Sequence, residues 1–286
     1  MERRARLGAN QYGKAEIRLM KVDRDQPRHV LHDLTVSVAL SGDMDAVHLA
    51  GDNSAVLPTD TQKNTVYAFA REHGVGQVED FALRLARHFV GTQEAVHRAV
   101  VTVDEHHWDR LADHSFSGAG RETRTTTVSL DPDGPAVRSG LRDLVLLSST
   151  GSEFRGFATD GYTTLPETDD RILSTSVEAR WRHVEPQADW RASYDGVRSA
   201  LTTAFADTYS RSLQETLFAM GARVVSTCHG VAEMRLRLPN RHHLIVDLEP
   251  FGLDNPGEVF HVDDRPYGLI EGTVLADGHD ADDGAW

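Results

Sequence analysis

The chain has 286 residues, of which 40% are hydrophobic, and a formal net charge of −14 at pH 7. This length favours about two domains over one, and the apolar content can fill packed cores, which excludes a wholly disordered chain. The acidic balance repels phosphate backbones and anionic membrane faces, so a nucleic-acid partner is disfavoured, although a local basic pocket can still hold a small anion.

The first half of the sequence changes from strand to helix periodicity and back. Residues 15–42 contain two strand-like runs that predict a hairpin, because apolar and polar residues alternate along the second run. From 66 to 89 the apolar residues recur at helical spacing in two groups separated by glycines, which predicts two antiparallel helices. Strand patterns follow at 101–108 and 123–130. The predicted order is ββααββ.

The second half repeats this order after a segment without periodicity. Residues 131–140 contain Asp-Pro, Asp-Gly and Gly-Pro steps and are predicted to form a linker. Strand patterns then cover 142–149 and 172–183, apolar residues at i+4 steps from 197 to 220 predict two helical elements, and alternation returns at 234–238. We interpret the chain as two diverged ββααββ units that arose by internal duplication.

Antiparallel sheets with helices on one face place the chain in the α+β class. We expect a first unit over 1–136, a second unit over 137–276 and a disordered acidic tail over 277–286. On the side opposite the helices, the sheets carry both polar and apolar residues, so another surface must pack against that side. We expect oligomerisation of the chain to provide this surface.

Signals for membranes and for export are not found in the sequence. No apolar run reaches the ~18 residues of a membrane span. Cys228 is the only cysteine, which excludes a disulfide scaffold within the chain and favours a reducing cytosol. Neither Arg3-Arg4, which no apolar stretch follows, nor the final tripeptide Gly284 to Trp286 is typical of a targeting signal. We expect a cytoplasmic protein with no membrane partner.

Three polar residues of the first unit lie at the ends of predicted elements. Lys14 precedes an apolar-alternating strand, where its amine can be partly desolvated and easily deprotonated. The alternative is a solvated lysine at a sheet edge. Thr59 and Asp60 precede the first predicted helix, where ordinary N-cap chemistry explains both residues. The functional and structural interpretations of all three residues stay open on spacing alone.

The second unit offers groups that suit a flat anion. Asn240 and His242 share strand parity, so an amide and an imidazole face one side of the sheet; a satisfied polar strand end is the alternative. Phe154 supplies a flat aromatic face and Arg171 a planar cationic fork. Adjacent histidines such as His242 and His243 point to opposite faces of a strand, and no metal-ligand spacing accompanies them, so a metal site is not predicted.

In combination these residues resemble the urate oxidase (uricase) family, over a span from about Gln11 to Gly272. The segments that carry the resemblance are Tyr12-Gly13-Lys14, Leu57 to Thr65, Leu144 to Arg171, Asn240-Arg241-His242 and Pro266 to Ile270. One departure is Ser148, which stands where the family signature usually has a lysine, and we carry no role onto it.

The resemblance implies the tunnelling fold (T-fold), with two ββααββ units in each chain. Protomers of this family associate so that their sheets close into a barrel, and the barrels stack into a homotetramer. Closure would remove the sheet edges and bury the second face. The active sites of the family lie between subunits. The matching residues are Lys14, Thr59 and Asp60 from one protomer, and Phe154, Leu165, Arg171, Leu213, Gln214, Asn240 and His242 from its partner.

The resemblance also implies the reaction. Uricases oxidise urate with O2 and water to 5-hydroxyisourate and hydrogen peroxide, in purine catabolism, without a metal or an organic cofactor. Arg171 and Gln214 would clamp the edge of the planar anion, and Phe154 would stack on its face. The helix that begins near Leu213 would offer a backbone N–H.

Proton transfer and oxygen binding are implied for the remaining residues. Lys14 and Thr59 would relay protons as a general-base pair, and His242 would complete the relay. Asn240 would hold O2, and then water, above the ring. The chain would be a cytoplasmic bacterial enzyme with no cofactor, and urate and O2 would be its small-molecule partners.

Two other functions stay open at this point. Pterin-processing enzymes and GTP cyclohydrolase share the fold, usually anchor the ring with a glutamate and often need zinc. Glu215 would be that anchor in place of Gln214 if the helix register differs by one residue, since adjacent helical residues point about 100° apart. The non-enzymatic alternative is a purine-binding or assembly protein that lost the chemistry, against which the polar residues of the implied relay argue.

Overall fold

The computed structural model describes residues 5–118, 120, 122–187 and 189–282. For residue 264 it describes the backbone only. The chain divides into two compact units, Met1–Ser139 and Gly140–Trp286. Arg3-Arg4, the final tripeptide and the last four residues of the predicted acidic tail lie outside the described residues. The predicted domain limits and the disorder of the tail stay predictions.

The first unit carries helices on one face of a sheet. Its elements are β1 (Tyr12–Asp23), β2 (Val30–Gly42), α1 (Asp45–Ala50), α2 (Thr59–Glu72), α3 (Val78–Thr92), β3 (Val96–Glu105), β4 (Trp108–Arg110), β5 (Phe116–Gly118), β6 (Thr123–Asp131) and the start of β7 (Gly134–Ser148). The strand order is β1-β2-β3-β6-β7, and the first three pairs are antiparallel. Helix α2 packs on β1, and α3 packs on β3 and β6. The predicted hairpin, helices and strands are confirmed; α1 and the β4–β5 hairpin are too short to show a period.

The linker predicted over 131–140 is wrong. Residues 132–133 form a turn, and the long strand β7 begins at Gly134 and neighbours β6 in the sheet. Gly134 has φ +115°, which residues with a side chain rarely adopt. The Asp-Pro and Asp-Gly steps therefore mark a tight turn between two strands. Pro135 and Gly140 dilute the alternation of the strand that follows, which is why the sequence pattern did not reveal it.

The second unit has the same architecture. Its elements are the rest of β7, β8 (Leu173–His183), α4 (Trp190–Asp207), α5 (Leu213–Thr227), β9 (Val231–Ile245), a 3₁₀ turn (Glu249–Phe251) and β10 (Phe260–Leu275). The strand order is β7-β8-β9-β10, with antiparallel pairing of β8, β9 and β10. The chain is thus α+β, as predicted. None of the helices in the described part of the chain is long and apolar enough to cross a membrane.

Helix α5 lies close against the sheet, because a glycine stands where the two elements meet. A Cβ on Gly221 would lie 2.4 Å from Cγ2 of Val274 in β10. Leu217, Met220 and Val224 of the same helix are buried in the core of this unit. The helix axis, and with it the start of the helix at Leu213, is therefore set by packing against β9 and β10.

A buried ion pair joins α3 to β6 in the first unit. Nη2 of Arg124 lies 2.7 Å from Oε2 of Glu79, whose side chain is 0% exposed. The hydroxyl of Ser139 donates to the other Glu79 oxygen at 2.8 Å. Each charge is thus desolvated and depends on its partners for compensation.

Replacing Arg124 should reveal this dependence. We expect Arg124→Met to lower the free energy of unfolding by about 3–5 kcal/mol, because it leaves the Glu79 carboxylate buried without its counter-ion. The matched control is Asp195→Ala, which breaks an exposed pair with Arg191 and should change the free energy by less than about 1 kcal/mol. Denaturant titration measures both, and equal losses in the two variants would contradict the assignment.

Candidate active site

An extra residue in β1 turns Lys14 towards the helices. Lys14 pairs with Val38 and Ile17 with Val36, so three steps along β1 match two steps along β2. Glu16 lies within this bulge with φ +56°. Opposed residues of an antiparallel pair share a face, and Val36 and Val38 are buried. Lys14 and Ile17 therefore both face the helix side, whereas regular alternation would have put them on opposite faces.

Tyr12 ties the start of α2 to the same strand. Its hydroxyl oxygen accepts the backbone N–H of Leu57 at 2.9 Å, and Nε2 of Gln62 donates to the Leu57 carbonyl at 3.3 Å. Burial raises the pKa of Tyr12, so its hydroxyl stays protonated. The next residue is Gly13, where a Cβ would lie 1.8 Å from the carbonyl oxygen of Val38. These contacts hold residues 57–60 beside the strand segment that carries Lys14.

The N-cap interpretation of Thr59 and Asp60 is wrong. A proline precedes the helix, no side chain caps it, and Thr59 is its first residue. The Asp60 carboxylate instead accepts hydrogen bonds from Nζ of Lys63 at 2.5 Å and Nδ2 of Asn64 at 3.0 Å. The hydrogen bond and charge of Lys63, and to a lesser degree the charge of Lys14, lower the pKa of Asp60. The Asp60 carboxylate is thus stabilised in its ionised form.

Arg171 lies over the ring of Phe154 in the second unit, with its guanidinium carbon 5.0 Å from the ring centroid. The backbone N–H of Arg171 donates to the Ser152 carbonyl at 2.8 Å, and its Nε donates to the Ser152 hydroxyl at 3.3 Å. Phe154 is paired through its backbone with Thr168. The guanidinium is half-buried, and burial lowers the pKa of Arg171 from its ordinary value. The Phe154 ring and the Arg171 guanidinium are therefore held next to each other in a fixed arrangement.

The acidic residues of this loop are engaged away from Arg171. Arg155 contacts Asp169, and its Nε lies 3.6 Å from Glu167. Asp170 accepts the hydroxyl of Thr150 at 2.8 Å and a backbone N–H at 3.1 Å. Among the residues that the structure describes, no carboxylate forms an ion pair with Arg171. Its positive charge is available to an external anion.

The N-terminus of α5 is fixed next to this surface by a cap in which Ser212 is the N-cap residue and Glu215 bonds back to Arg211, the residue before it. The Ser212 hydroxyl accepts the N–H of Glu215 at 3.2 Å, and Glu215 accepts the N–H of Arg211 at 3.0 Å. The guanidinium of Arg211 also binds the same carboxylate. Glu215 is thereby occupied by the cap and by an arginine, which disfavours it as the glutamate anchor of a pterin-type ring site.

Hydrogen bonds connect this helix to the loop that carries Phe154 and Arg171. Ser152 and Ser210 form a backbone bridge, and Thr216 of α5 donates to the Ser210 hydroxyl at 2.8 Å. Leu213 is only 3% exposed and packs in the core, and its backbone N–H lies in the first turn of the helix, where N–H groups have no partner within the helix. The side chain of Gln214 is exposed. The structure therefore brings Phe154, Arg171 and the start of α5 together.

Asn240 and His242 continue the helix-facing row of β9. Leu236 and Leu238 of this row are fully buried, whereas the two polar residues that follow are half-buried. Asn240 lies opposite Thr175 of β8, and His242 lies opposite Asp263 of β10. The predicted shared face is therefore present.

Leu165 lies in the loop between Phe154 and Arg171 and is 57% exposed. Tyr12, Ser152 and Thr216 support the site but were not predicted. Tyr12 alone had a signal, its position two residues before Lys14. In the described part of the chain, no three His, Cys, Asp or Glu side chains are grouped so that they could hold a metal ion.

Comparison with known proteins identifies the family. The uricase family model matches residues 10–129 and 137–271. The uricase of Arthrobacter globiformis is 49% identical over 98% of this chain and 93% of its own length, and that of Dictyostelium discoideum is 36% identical over 94% and 97%. The crystal structure of the Arthrobacter globiformis uricase has a TM-score of 0.95 and covers 98% of both chains. On sequence and structure alike, this chain belongs to the uricase family.

Proposed function

We propose that this urate oxidase converts urate, O2 and water to 5-hydroxyisourate and hydrogen peroxide at a site shared by two protomers. The observation that carries the proposal is the Arg171 guanidinium, which lies over the Phe154 ring without an ion pair to a carboxylate among the described residues. A flat monoanion supplies the missing charge partner of the guanidinium. Stacking of its ring on Phe154 would displace Phe157, whose ring is stacked on that of Phe154 with centroids 4.9 Å apart.

Substrate orientation follows from the groups around Arg171. Its Nη atoms make no hydrogen bond with the described residues, so they can bind the edge of urate in a bidentate manner. The exposed amide of Gln214 and the backbone N–H of Leu213 add donors or acceptors at the same edge. Leu165 supplies an apolar contact. Holding the ring in one plane fixes the face at which O2 reacts.

Oxidation moves two electrons from urate to O2, two protons complete hydrogen peroxide, and water adds to the oxidised ring. Lys14 and Thr59, supplied by the neighbouring protomer, relay protons to and from urate as a general-base pair, and Asp60 binds the ring edge beside them. Asn240 holds O2 and then water above the ring, and His242 completes the proton relay. Because urate supplies the electrons, no metal or flavin takes part.

Loss of the Lys14 amine should impair turnover without unfolding the protein. We expect Lys14→Ala to lower kcat by about 10²–10⁴-fold, the usual contribution of a positioned acid or base. Lys21→Ala is the matched control, because Lys21 lies on the same strand and pairs with Asp23 away from the proposed site. Peroxide formation and circular dichroism measure the two effects. Unchanged turnover in Lys14→Ala would defeat the assigned role.

Assembly into a closed barrel is the second part of the proposal. β1 and β10 are the outer strands of the sheets in their units, so each has a free edge that another chain can pair with. β10 also exposes Val262, Tyr267 and Leu269. We propose that these edges and faces are covered in a homotetramer, with Lys14 of one protomer opposite Arg171 of another.

Mixed oligomers test whether the site is shared. Lys14→Ala and Arg171→Ala chains should each be nearly inactive alone, but their co-expressed mixture should recover about a quarter of parental activity. Random association gives about a quarter of the sites an intact Lys14 from one chain and an intact Arg171 from the other. A mixture with no more activity than either variant would show that one chain supplies both residues.

Independence from metals distinguishes this function from a zinc-dependent enzyme of the same fold. We expect urate absorbance loss and peroxide formation to survive exhaustive chelation unchanged, since none of the proposed steps uses a metal. Activity that disappears with chelation and returns with zinc would favour the pterin or GTP-cyclohydrolase type of site. Urate binding without turnover would favour a binding protein.

We further propose that the enzyme works in a bacterial cytoplasm. The proposal rests on the single cysteine, Cys228, which suits a reducing compartment, and on the high identity to a bacterial uricase.

A further inference from the structure

The ring of Phe157 covers the ring of Phe154. The two ring centroids lie 4.9 Å apart with an interplanar angle of 15°, which is a stacked arrangement. Both side chains are half-buried. An aromatic pair of this kind is favourable beyond the apolar area that it buries. The proposed stacking of urate needs the ring of Phe154, so urate and Phe157 require the same partner.

Arg171 is the other neighbour of the Phe154 ring, and it has to stay when an anion binds. Its guanidinium carbon lies 5.0 Å from the ring centroid, and in the proposed function its charge binds the anion. Its Nε donates to the Ser152 hydroxyl at 3.3 Å, and its backbone N–H donates to the Ser152 carbonyl at 2.8 Å. Phe157 is therefore the neighbour that must leave when a flat ring stacks on Phe154.

The loop that follows Phe154 is fixed at its base but not at residues 157–159. Phe154 and Thr168 exchange two backbone hydrogen bonds of 2.9 and 3.1 Å, and the N–H of Gly156 donates to the Glu167 carboxylate at 2.8 Å. Residues 157–159 make no hydrogen bond with the part of the chain that the structure describes. The aromatic ring at the start of this stretch can therefore move away while Phe154 keeps its place.

We propose that Phe157 competes with urate for the ring of Phe154 and thereby sets the affinity of the site for flat anions. Urate binding replaces the stack of Phe157 on Phe154 by a stack of urate on Phe154, while the charge of urate pairs with Arg171. Displacement of Phe157 offsets part of the binding free energy, so the Kd is higher than it would be with an uncovered ring. The inference rests on the proposed function and adds to it a residue that determines affinity.

Removal of the Phe157 ring should tighten urate binding. We expect Phe157→Ala to lower the Kd for urate by about 2–10-fold, the range that corresponds to one aromatic pair. Phe157→Leu, which keeps an apolar side chain without a ring, should change the Kd in the same direction. Phe157→Tyr should keep the parental Kd, because its ring can still stack. Calorimetric titration of the full chain with urate in the absence of O2 measures binding without turnover.

The matched control is Tyr162→Ala, which removes an aromatic side chain that belongs to the same loop and is 93% exposed; its Kd should equal the parent's. A higher Kd in Phe157→Ala would show that Phe157 supports the site or contacts urate, and an unchanged Kd would show that the two rings do not compete. Either result would overturn the proposal. Failure of both Phe157→Ala and Phe157→Leu to fold would also refute it, because the ring would then have a structural role.

A double-mutant cycle tests whether the effect depends on Phe154. In a Phe154→Ala background the shared partner is gone, so adding Phe157→Ala should leave the Kd unchanged; a further decrease would contradict the proposed competition.

Arg171→Ala distinguishes this inference from the proposed function. If Arg171→Ala binds urate as tightly as the parent does, the proposed site itself is refuted. If urate binding needs Arg171 but Phe157→Ala and Phe157→Leu keep the parental Kd, the competition alone is refuted.

Discussion

Among the described residues Arg171 has no carboxylate partner, and the proposed substrate side of the site depends on this unpaired charge. Arg171 is half-buried against Phe154, and a desolvated charge is unfavourable unless something compensates it. The chain is strongly acidic overall, yet the carboxylates closest in sequence bind Arg155 or cap backbone and hydroxyl groups. That diversion leaves the guanidinium without an ion pair among the described residues, as the proposed binding of an anion requires. Net charge therefore says little about what this protein binds; the distribution of partners around one arginine decides it.

Both units place polar side chains at the end of an otherwise apolar, helix-facing row. In the second unit the row of β9 passes from Leu236 and Leu238 to Asn240 and His242 without changing face. In the first unit the bulge at Glu16 brings Lys14 onto the helix-facing side of β1, in line with the buried residues of that strand. The packed rows fix the strands, and the strands then fix the direction of the polar groups. The apolar core thus positions the chemistry.

One fold can support a urate site or a pterin site, so the local structure of α5 carries the distinction. The Glu215 carboxylate accepts the backbone N–H of Arg211 and binds its guanidinium, which leaves Gln214 as the exposed residue of the first turn. Leu213 is meanwhile held in the core. Burial of Leu213 and the contacts of Glu215 set the helix register, and this register favours the amide of Gln214 over the carboxylate of Glu215 for the proposed contact with the ring edge.

Alternation and helical spacing were sufficient to predict the two ββααββ halves. Burial of one face of a sheet or helix requires apolar residues at a regular spacing along the sequence. The motifs around Lys14, Arg171 and Asn240 likewise indicated the family. Periodicity could not show the strand that replaces the predicted linker at 134–140, or the bulge that turns Lys14 towards the helices. Nor could it show that Arg211 binds the Glu215 carboxylate. These features depend on which residues face each other across strands and loops, and such contacts are made only when distant segments pack.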